Sequence, residues 1–371
     1  MNGPHIFLMA GGGTGGHVMP ALAVARELER RGHHPIFAGT RRGFEANLVP
    51  AAGFPIEWIE VGGLKGVGAL RVMRTLIGLP VAIAHALRLL AKYRPAAVFS
   101  MGGYVAGPVV IAAVMRRIPV VVMEPNAVPG FTNRRLGPFV RRALISFPDT
   151  ARYFPKGRAE VTGVPVRREF FELAPKPRGQ QLTILITGGS RGSRTLNNAA
   201  RDSWQLIREL GLPVRIIHQT GAVPAHAEIE REFSQSGLQG RVVPFIEDMP
   251  AAFAEADLIV CRAGAGAVAE LAAAGRPAVL VPFPFATDNH QLHNAQAFQR
   301  AGAARLVLDK DMTGECLVRE VKELQSDPGL LLSMAANARR LSHPGAAERA
   351  ADVLISMAEG SQKPENPSTV L

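Results

Sequence analysis

One arrangement occurs twice in this chain: a short apolar strand runs directly into a cluster of glycines, and a helical pattern follows. The first copy is IFLMAGGGTGG at residues 6–16, and the second is ILITGGSRG at residues 184–192. Glycines at this point let the backbone turn sharply and bring its N–H groups to a ligand at the start of a helix. Such a unit is typical of nucleotide-binding α/β domains, so the repeat predicts two related domains.

Other apolar runs support the same class of fold. Twelve runs have the length of strands, and helical patterns separate most of them: Ile6–Ala10, Pro35–Ala38, Ile56–Ile59, Ala97–Met101, Val120–Met123, Ala143–Ser146, Leu182–Thr187, Val214–His218, Val242–Phe245, Leu258–Cys261, Ala278–Val281 and Arg305–Leu308. This alternation predicts parallel sheets with helices on both faces. We expect an α/β protein of two Rossmann-like domains whose sheets face each other across a cleft, with ligands at the carboxyl ends of the strands.

The length of 371 residues suits two domains, and a polar stretch broken by prolines, APKPRGQQ at residues 174–181, marks a linker. We predict an N-terminal domain over 1–165, a linker over 166–180 and a C-terminal domain over 181–358, whose last helix could pack back on the first domain. Residues 359–371 are expected to be a disordered tail. We expect neither a targeting segment nor a transmembrane helix.

Positive charge is concentrated in the first domain. Residues 61–148 contain twelve lysines and arginines but one acid, Glu124, so this stretch alone has the excess of eleven positive charges that the whole chain carries. Anionic partners are therefore expected. No nucleic-acid-binding motif accompanies the charge, and three tyrosines and two tryptophans offer little stacking, so we expect no nucleic-acid partner.

The most basic segment, residues 64–94, is also rich in bulky apolar side chains. His85, Arg88 and Lys92 share one face of its helical pattern, and Pro80 is expected to kink or split the helix. A basic amphipathic segment of this kind predicts contact with an anionic membrane surface. A core helix with one solvated face is the alternative.

The two glycine clusters indicate where a ligand could bind more clearly than they indicate which ligand it is. The first contains Gly11-x-Gly13-x-x-Gly16, a dinucleotide-binding pattern, but the second strand ends in GTRR at residues 39–42 instead of the acid that an NAD site needs. An NADP site could use Arg41 and Arg42, so that alternative is not excluded. No tyrosine is followed by lysine four residues later, as short-chain dehydrogenases require, so hydride transfer is the weaker alternative.

Three features are candidates for chemistry. His17 follows the first glycine cluster at a helix start, where the helix dipole disfavours the imidazolium and suits a general base; a capping or packing histidine is the alternative. The sequence RAGAG at residues 262–266 joins a guanidinium to a helix N-terminus and predicts a diphosphate cradle, although it could be a simple tight turn. Glu270 could accept hydrogen bonds from a ribose, and the polar segment 288–294 could bind sugar hydroxyls.

Metal ions and other cofactors are not expected. Asp309-Lys310-Asp311 matches the Asp-x-Asp metal string of some glycosyltransferases, but it lies late in the chain, between a strand and a helix start. His290 and His293 lack the spacing of a zinc-binding pair. The chain has two cysteines, which excludes a disulfide scaffold and a multi-cysteine metal site.

Eight motifs, in order, resemble those of the MurG family of UDP-N-acetylglucosamine:lipid I N-acetylglucosaminyltransferases. They are Gly11–His17 (GGGTGGH), Gly102–Pro108 (GGYVAGP), Glu124–Asn126 (EPN), Pro165–Arg167 (PVR), Gly188–Ser190 (GGS), Phe245–Met249 (FIEDM), Cys261–Gly264 (CRAG), and Gln291 with Asn294. Any one string is weak, but eight in order, over about residues 5–355, are highly specific.

The resemblance implies a GT-B fold and a specific reaction. GlcNAc would pass from UDP-GlcNAc, bound by the C-terminal domain, to lipid I (undecaprenyl-pyrophosphoryl-MurNAc-pentapeptide), bound by the N-terminal domain. The product would be the peptidoglycan precursor lipid II, made by a peripheral protein at the cytoplasmic face of the membrane. Two alternatives stay open: another GT-B enzyme such as a UDP-GlcNAc epimerase, and a nucleotide-sugar-binding protein without turnover.

The same resemblance implies the site residues. His17 would be the base on the acceptor hydroxyl, Glu124 would also be catalytic, and Tyr104 and Asn126 would bind the acceptor. The donor contacts would be Thr14, Gly15, Gly16, Asn126, Arg167, Ser190, Ile246 (backbone to uracil), Arg262 (diphosphate), Ala265, Gly266, Glu270 (ribose) and Gln291 (GlcNAc hydroxyls). The chain departs from the usual family pattern at Val164, Ala263, Ala267 and His290, and we expect backbone N–H groups to replace the lost hydroxyls.

Overall fold

The computed structural model describes residues 3–12, 15–61, 69–176 and 179–360, with the backbone alone over 69–77. The chain divides into two compact units. Unit 1 comprises Met1–Pro165 together with Gly345–Leu371, and unit 2 comprises Val166–Pro344.

Unit 1 is built on a parallel sheet of seven strands in the order β3-β2-β1-β4-β5-β6-β7. The strands are β1 (Ile6–Gly11), β2 (His34–Gly39), β3 (Ile56–Trp58), β4 (Ala97–Gly102), β5 (Val120–Glu124), β6 (Arg142–Ile145) and β7 (Ala159–Val161). The helices are α1 (Gly15–Arg30), α2 (Glu45–Ala51), α3 (Ala69–Tyr93), α4 (Gly103–Met115), α5 (Phe131–Leu136) and the C-terminal α14 (Ala346–Gly360). Short 3₁₀ turns cover Gly137–Phe139 and Pro148–Tyr153.

Unit 2 repeats the plan with a parallel sheet of six strands in the order β10-β9-β8-β11-β12-β13. The strands are β8 (Leu182–Thr187), β9 (Val214–Gln219), β10 (Gln239–Val243), β11 (Leu258–Cys261), β12 (Ala278–Leu280) and β13 (Ala304–Leu306). The helices are α6 (Arg168–Phe171), α7 (Arg194–Glu209), α8 (His226–Gln235), α9 (Met249–Glu255), α10 (Ala265–Ala274), α11 (His290–Arg300), α12 (Gly314–Ser326) and α13 (Pro328–Arg340). Further 3₁₀ turns cover Thr287–Asn289 and Asp309–Asp311.

The prediction of two Rossmann-like α/β domains is confirmed. All six residues of β4 and all six of β8 are buried, as expected of central parallel strands covered on both faces. The short edge strand β7 was not predicted, because its three residues, AEV, include a charged side chain and form no apolar run. Helix α3 continues through Pro80 as one helix, so the expected split does not occur.

The boundaries of the two units differ from the predicted domain limits at the linker and at the C-terminus. Residues that we assigned to a linker, including helix α6, belong to unit 2, where Phe170 packs edge-on against Phe253. Helix α14 belongs to unit 1, which is the packing that we allowed for the last helix. It packs on α1, where Arg31 donates to Asp352 at 2.5 Å. The predicted tail, apart from Glu359 and Gly360 at the end of α14, lies outside the described residues.

Within the part of the chain that the structure describes, none of the helices combines the length and the hydropathy that a membrane crossing requires.

Candidate functional site

The predicted base and acceptor residues lie along one edge of the unit 1 sheet. Strands β1, β4 and β5 are parallel neighbours, so the loops at their carboxyl ends converge. These loops lead to His17, to the Gly102–Tyr104 turn and to the Glu124–Asn126 segment. Thr14 lies outside the described residues.

His17 lies in the first turn of α1, and the preceding glycine loop orients its ring. Its Nδ1 atom lies 3.2 Å from the carbonyl oxygen of Gly12. Because a carbonyl oxygen accepts only, Nδ1 carries the proton, and the neutral ring has its lone pair on Nε2. Gly103 packs here at a φ of +81°, where a Cβ would lie 3.4 Å from Nδ1. The contact selects the tautomer that a base acting through Nε2 requires.

Glu124 is enclosed by hydrogen-bond donors. Its side chain is buried, Oε1 accepts from the backbone N and the Nδ2 of Asn126, and Oε2 accepts from the backbone N of Gly130 and the Nδ2 of Asn133, all at 3.0 Å. Burial raises the pKa of Glu124, and the four hydrogen bonds act in the opposite direction. This arrangement suits a carboxylate that orders the loop and holds Asn126 in place.

Sequence reasoning missed Glu45, the first residue of α2. The side chain is fully buried, and its Oε1 accepts from the backbone N and the hydroxyl of Thr40 at 3.0 and 2.9 Å. The Thr40 hydroxyl lies 3.4 Å from the hydroxyl of Tyr104. A Cβ at Gly12 would lie 2.4 Å from Oε1, so the glycine loop packs directly on this carboxylate. The only local signal is an acid in a first helical turn, which many helices share.

The candidate diphosphate group lies at the corresponding edge of the unit 2 sheet. Strands β8, β11, β12 and β13 are adjacent and parallel, so the loops at their carboxyl ends meet around Arg262. Its Nη2 donates to the hydroxyl of Ser193 at 2.7 Å. Its Nη1 donates to Asp309 at 2.5 Å and to the carbonyl oxygens of Val281 and Pro282 at 3.1 and 3.4 Å. The guanidinium is therefore held by three segments of the chain, around Ser193, Val281–Pro282 and Asp309.

A buried polar network supports the second glycine cluster, in which Ser190 is exposed. Gly192 has a φ of +71°, and a Cβ there would lie 2.0 Å from the carbonyl oxygen of Thr220. Asn197 donates to that oxygen at 3.0 Å and accepts from Nε2 of His218 at 3.0 Å. Burial lowers the pKa of His218 to about 4, so its ring is neutral. Only glycine fits at this turn, and the network fixes its position.

Helix α10 begins at Ala265 without a capping side chain on Gly264, which leaves first-turn N–H groups to a ligand. A Cβ on Gly264 or Gly266 would meet no atom within 4 Å, so this side of the turn is open. Burial raises the pKa of Glu270, one turn into the helix, to about 7, and the positive charge of Arg167 lowers it in part. Glu270 is thus close to half-ionised at neutral pH.

Gln291, in the first turn of α11, is hydrogen-bonded to one member of an aromatic pair, Phe283 and Phe285. Its Oε1 accepts from the backbone N of Phe283 at 3.0 Å. The Phe283 ring centre lies 5.6 Å from the guanidinium carbon of Arg262 and 5.6 Å from the ring centre of the exposed Phe285. Ile246 lies in the loop between β10 and α9. Gln291 and Arg262 therefore both contact Phe283, the first at its backbone N and the second at its ring.

The candidates fall into two groups, one in each unit. Unit 1 holds Gly15, Gly16, His17, Tyr104, Glu124 and Asn126, and unit 2 holds Arg167, Ser190, Ile246, Arg262, Ala265, Gly266, Glu270 and Gln291. A cavity of about 360 Å³ lies elsewhere in unit 2, and Leu182, Asp257 and Pro277 line it at the amino ends of the strands. None of the predicted site residues lines that cavity.

Known proteins match this chain over nearly all of its length. The family models for the glycosyltransferase family 28 N-terminal and C-terminal domains match residues 7–145 and 183–350. A Solibacter usitatus protein named UDP-N-acetylglucosamine--N-acetylmuramyl-(pentapeptide) pyrophosphoryl-undecaprenol N-acetylglucosamine transferase is 61% identical over 352 residues, 95% of this chain and 96% of the relative.

Two solved structures also resemble this chain over nearly all of its length. The crystal structure of Acinetobacter baumannii MurG matches with a TM-score of 0.81 and 36% identity, over 95% of this chain and 100% of that chain. The UDP-GlcNAc 2-epimerase of Neisseria meningitidis, bound to UDP-GlcNAc, matches with a TM-score of 0.62 over 95% of this chain and 99% of that chain. At 14% identity, the second match is a likeness of fold alone.

Proposed function

The chain belongs to the MurG family within glycosyltransferase family 28, and we infer from this membership that it is a UDP-GlcNAc-dependent hexosyltransferase of peptidoglycan precursor synthesis. It transfers GlcNAc from UDP-GlcNAc to the 4-hydroxyl of the MurNAc of lipid I, which forms lipid II. The observation that carries this conclusion is the 61% identity over 95% of the chain. The epimerase alternative rests on a likeness of fold and is less supported.

In unit 1, His17 is the proposed base for the acceptor. The hydrogen bond from Nδ1 to Gly12 supports this role, because it selects the tautomer in which Nε2 is the basic nitrogen. Tyr104 and Asn126 are the proposed acceptor contacts. We assign Glu124 a positioning role in place of proton transfer, because four N–H groups already occupy its two oxygens.

In unit 2, Arg262 and the N-terminus of α10, with Ala265 and Gly266, are the proposed cradle of the diphosphate. Glu270 accepts from the ribose, and Gln291 holds the GlcNAc hydroxyls. The other proposed donor contacts in unit 2 are Arg167, Ser190 and the backbone of Ile246. Those proposed in unit 1 are Thr14, Gly15, Gly16 and Asn126. Open space at Gly264 and Gly266 supports the cradle, since it lets a phosphate approach the backbone.

The reaction that these groups suit is a single inverting displacement. The donor sugar is α-linked to UDP, and attack by the acceptor oxygen from the opposite side gives a β-linkage. The anomeric carbon then passes through an oxocarbenium-like state, as in other glycosyl transfers. His17 takes the acceptor proton as the new bond forms. Arg262 and the helix N-terminus stabilise the negative charge that develops on the departing UDP.

A transfer assay tests this function directly. The purified full chain is incubated with UDP-GlcNAc and a short-chain lipid I analogue, without added metal and with a chelator. Release of UDP in equal amount to a β-1,4-linked disaccharide is the expected result. Formation of the 2-epimer of UDP-GlcNAc without acceptor would point to an epimerase, and binding without turnover would point to a nucleotide-sugar-binding protein.

Unit 1 is also the proposed membrane-binding unit, in a peripheral protein at the cytoplasmic face of the membrane. Within the described part of residues 64–94, Val81 is 72% exposed, and Met115 at the end of the neighbouring helix α4 is 64% exposed. Arg116 and Arg117 follow Met115 and are also exposed. Apolar side chains beside exposed cations suit insertion between lipid chains under anionic headgroups.

Vesicle binding should depend on both parts of this surface. Replacing Arg116 and Arg117 with glutamine is expected to weaken binding to phosphatidylglycerol vesicles about thirtyfold, from roughly 1 kcal/mol per cation. Val81→Asn with Met115→Asn should weaken binding at high salt as well, where the electrostatic part is screened. Leu332→Asn, at a 69% exposed leucine of unit 2, is the matched control. Equal binding by all variants would contradict the proposal.

A further inference from the structure

Asp309, the first residue of the Asp-x-Asp string, is engaged by protein groups. One carboxylate oxygen accepts from Nη1 of Arg262 at 2.5 Å, and the other accepts from the hydroxyl of Thr195 at 3.1 Å. The side chains of Arg262 and Asp309 are 13% and 21% exposed, so water screens this ion pair only in part. An arginine against the carboxylate opposes a divalent cation at the same oxygens, which accounts for the string without a metal.

The ion pair joins three loops of the candidate donor site. Arg262 follows β11, Asp309 follows β13, and Thr195 lies in the first turn of α7, behind the second glycine cluster. Ser193 binds the same guanidinium and also caps α7, because its hydroxyl accepts from the backbone N of Leu196 at 3.2 Å. A shift of Asp309 would therefore move the arginine relative to the glycine cluster.

The pairing also determines which N–H groups of Arg262 are left for a ligand. Asp309 and two carbonyl oxygens occupy Nη1, and Ser193 takes one N–H of Nη2. Among the described residues, Nε and the second N–H of Nη2 have no hydrogen-bond acceptor. A guanidinium presents such N–H groups in a fixed plane, which suits phosphate oxygens.

Asp309 has a second effect, through charge. Its carboxylate neutralises the guanidinium that would attract the diphosphate, so the attraction is weaker than that of an unpaired arginine. We propose that Asp309 is a positioning residue for Arg262 and its counter-ion, which aims the guanidinium at the donor diphosphate and limits how tightly UDP is held. The inference rests on the proposed function and adds the control of nucleotide affinity.

Binding of UDP to the full chain, measured by titration calorimetry, tests the proposal. In Asp309→Asn the amide oxygen still accepts from Arg262 while the negative charge is lost, so UDP should bind about tenfold more tightly. The gain should shrink as salt is raised. Asp309→Glu keeps the charge, so it should not bind UDP more tightly than the wild-type chain does. Asp311→Asn, at an exposed acid of the same turn, is the matched control.

A purely structural role predicts a different order of affinities. If Asp309 served only to hold the loops together, Asp309→Asn and Asp309→Glu would both weaken UDP binding, and either that result or an unchanged affinity in Asp309→Asn would overturn the proposal. If the wild-type chain transferred no GlcNAc in the lipid I assay, that result would instead overturn the proposed function. The order of UDP affinities is measured without the acceptor, so the two failures are distinguishable.

Discussion

His17→Ala should lower kcat by about a hundredfold to ten-thousandfold, the range that a positioned general base contributes. The acceptor 4-hydroxyl is a poor nucleophile while it keeps its proton, and Nε2 is the atom that we propose removes it. Binding of UDP-GlcNAc should change much less, because the main proposed donor groups, Arg262, Glu270 and Gln291, belong to unit 2. The measurement is kcat and KM for both substrates, with donor binding by calorimetry.

The control for this variant is His34→Ala, at an exposed histidine of the same unit that begins β2. It should leave kcat and KM unchanged. His17→Gln asks whether a side chain of similar length without a basic nitrogen is sufficient, and we expect it to be as slow as alanine. A near-normal kcat in His17→Ala would remove the base assignment and leave the ring with a packing role on Gly12.

The architecture could be predicted from the sequence because parallel strands that are buried on both faces appear in it as continuous apolar runs. The central strands β4 and β8 are of this kind. Edge strands carry a weaker signal, and β7 was missed for that reason. Helix α14 also shows the limit of sequence order: its buried face could pack on either unit, and its contacts with α1 and β4, together with the pair of Arg31 and Asp352, assign it to unit 1.

The residues of the candidate site also differ in how clearly the sequence shows them. Residues that act through a local motif, such as the glycine loop before His17, are visible in the sequence. Glu45 is not, because its importance comes from contact with Gly12, 33 positions earlier, and with Thr40, which directly follows strand β2. Asp309 suggested a metal string, since its neighbour Asp311 is close in sequence, whereas its partner Arg262 is 47 positions away. Contacts between loops at one sheet edge depend on strand order, which local patterns do not encode.

Glu270→Ala should raise the KM for UDP-GlcNAc by about tenfold to a hundredfold, with a smaller change in kcat. The variant removes the proposed acceptor of the ribose hydroxyls, and a hydrogen bond to a charged group contributes about 1.5–3 kcal/mol. The ribose does not react, so its contact should stabilise the ground state and the transition state alike. Glu323→Ala, at an exposed acid of α12 in the same unit, is a suitable control, and an unchanged donor KM in Glu270→Ala would contradict the assignment.

The raised pKa of Glu270 adds a pH dependence with a defined sign. Burial brings this pKa to about 7 from an ordinary value of 4.5, and ribose hydroxyls donate more strongly to the ionised carboxylate than to the acid. Donor binding is then linked to loss of a proton, so affinity is highest above the pKa and falls as the pH drops through about 7. UDP-GlcNAc is the right probe because both of its phosphates are esterified and neither titrates near neutrality. Between pH 8 and pH 6 the affinity of the wild-type chain should fall about tenfold, and Glu270→Gln should flatten the profile. A slope that persists in Glu270→Gln would assign the titration to another group.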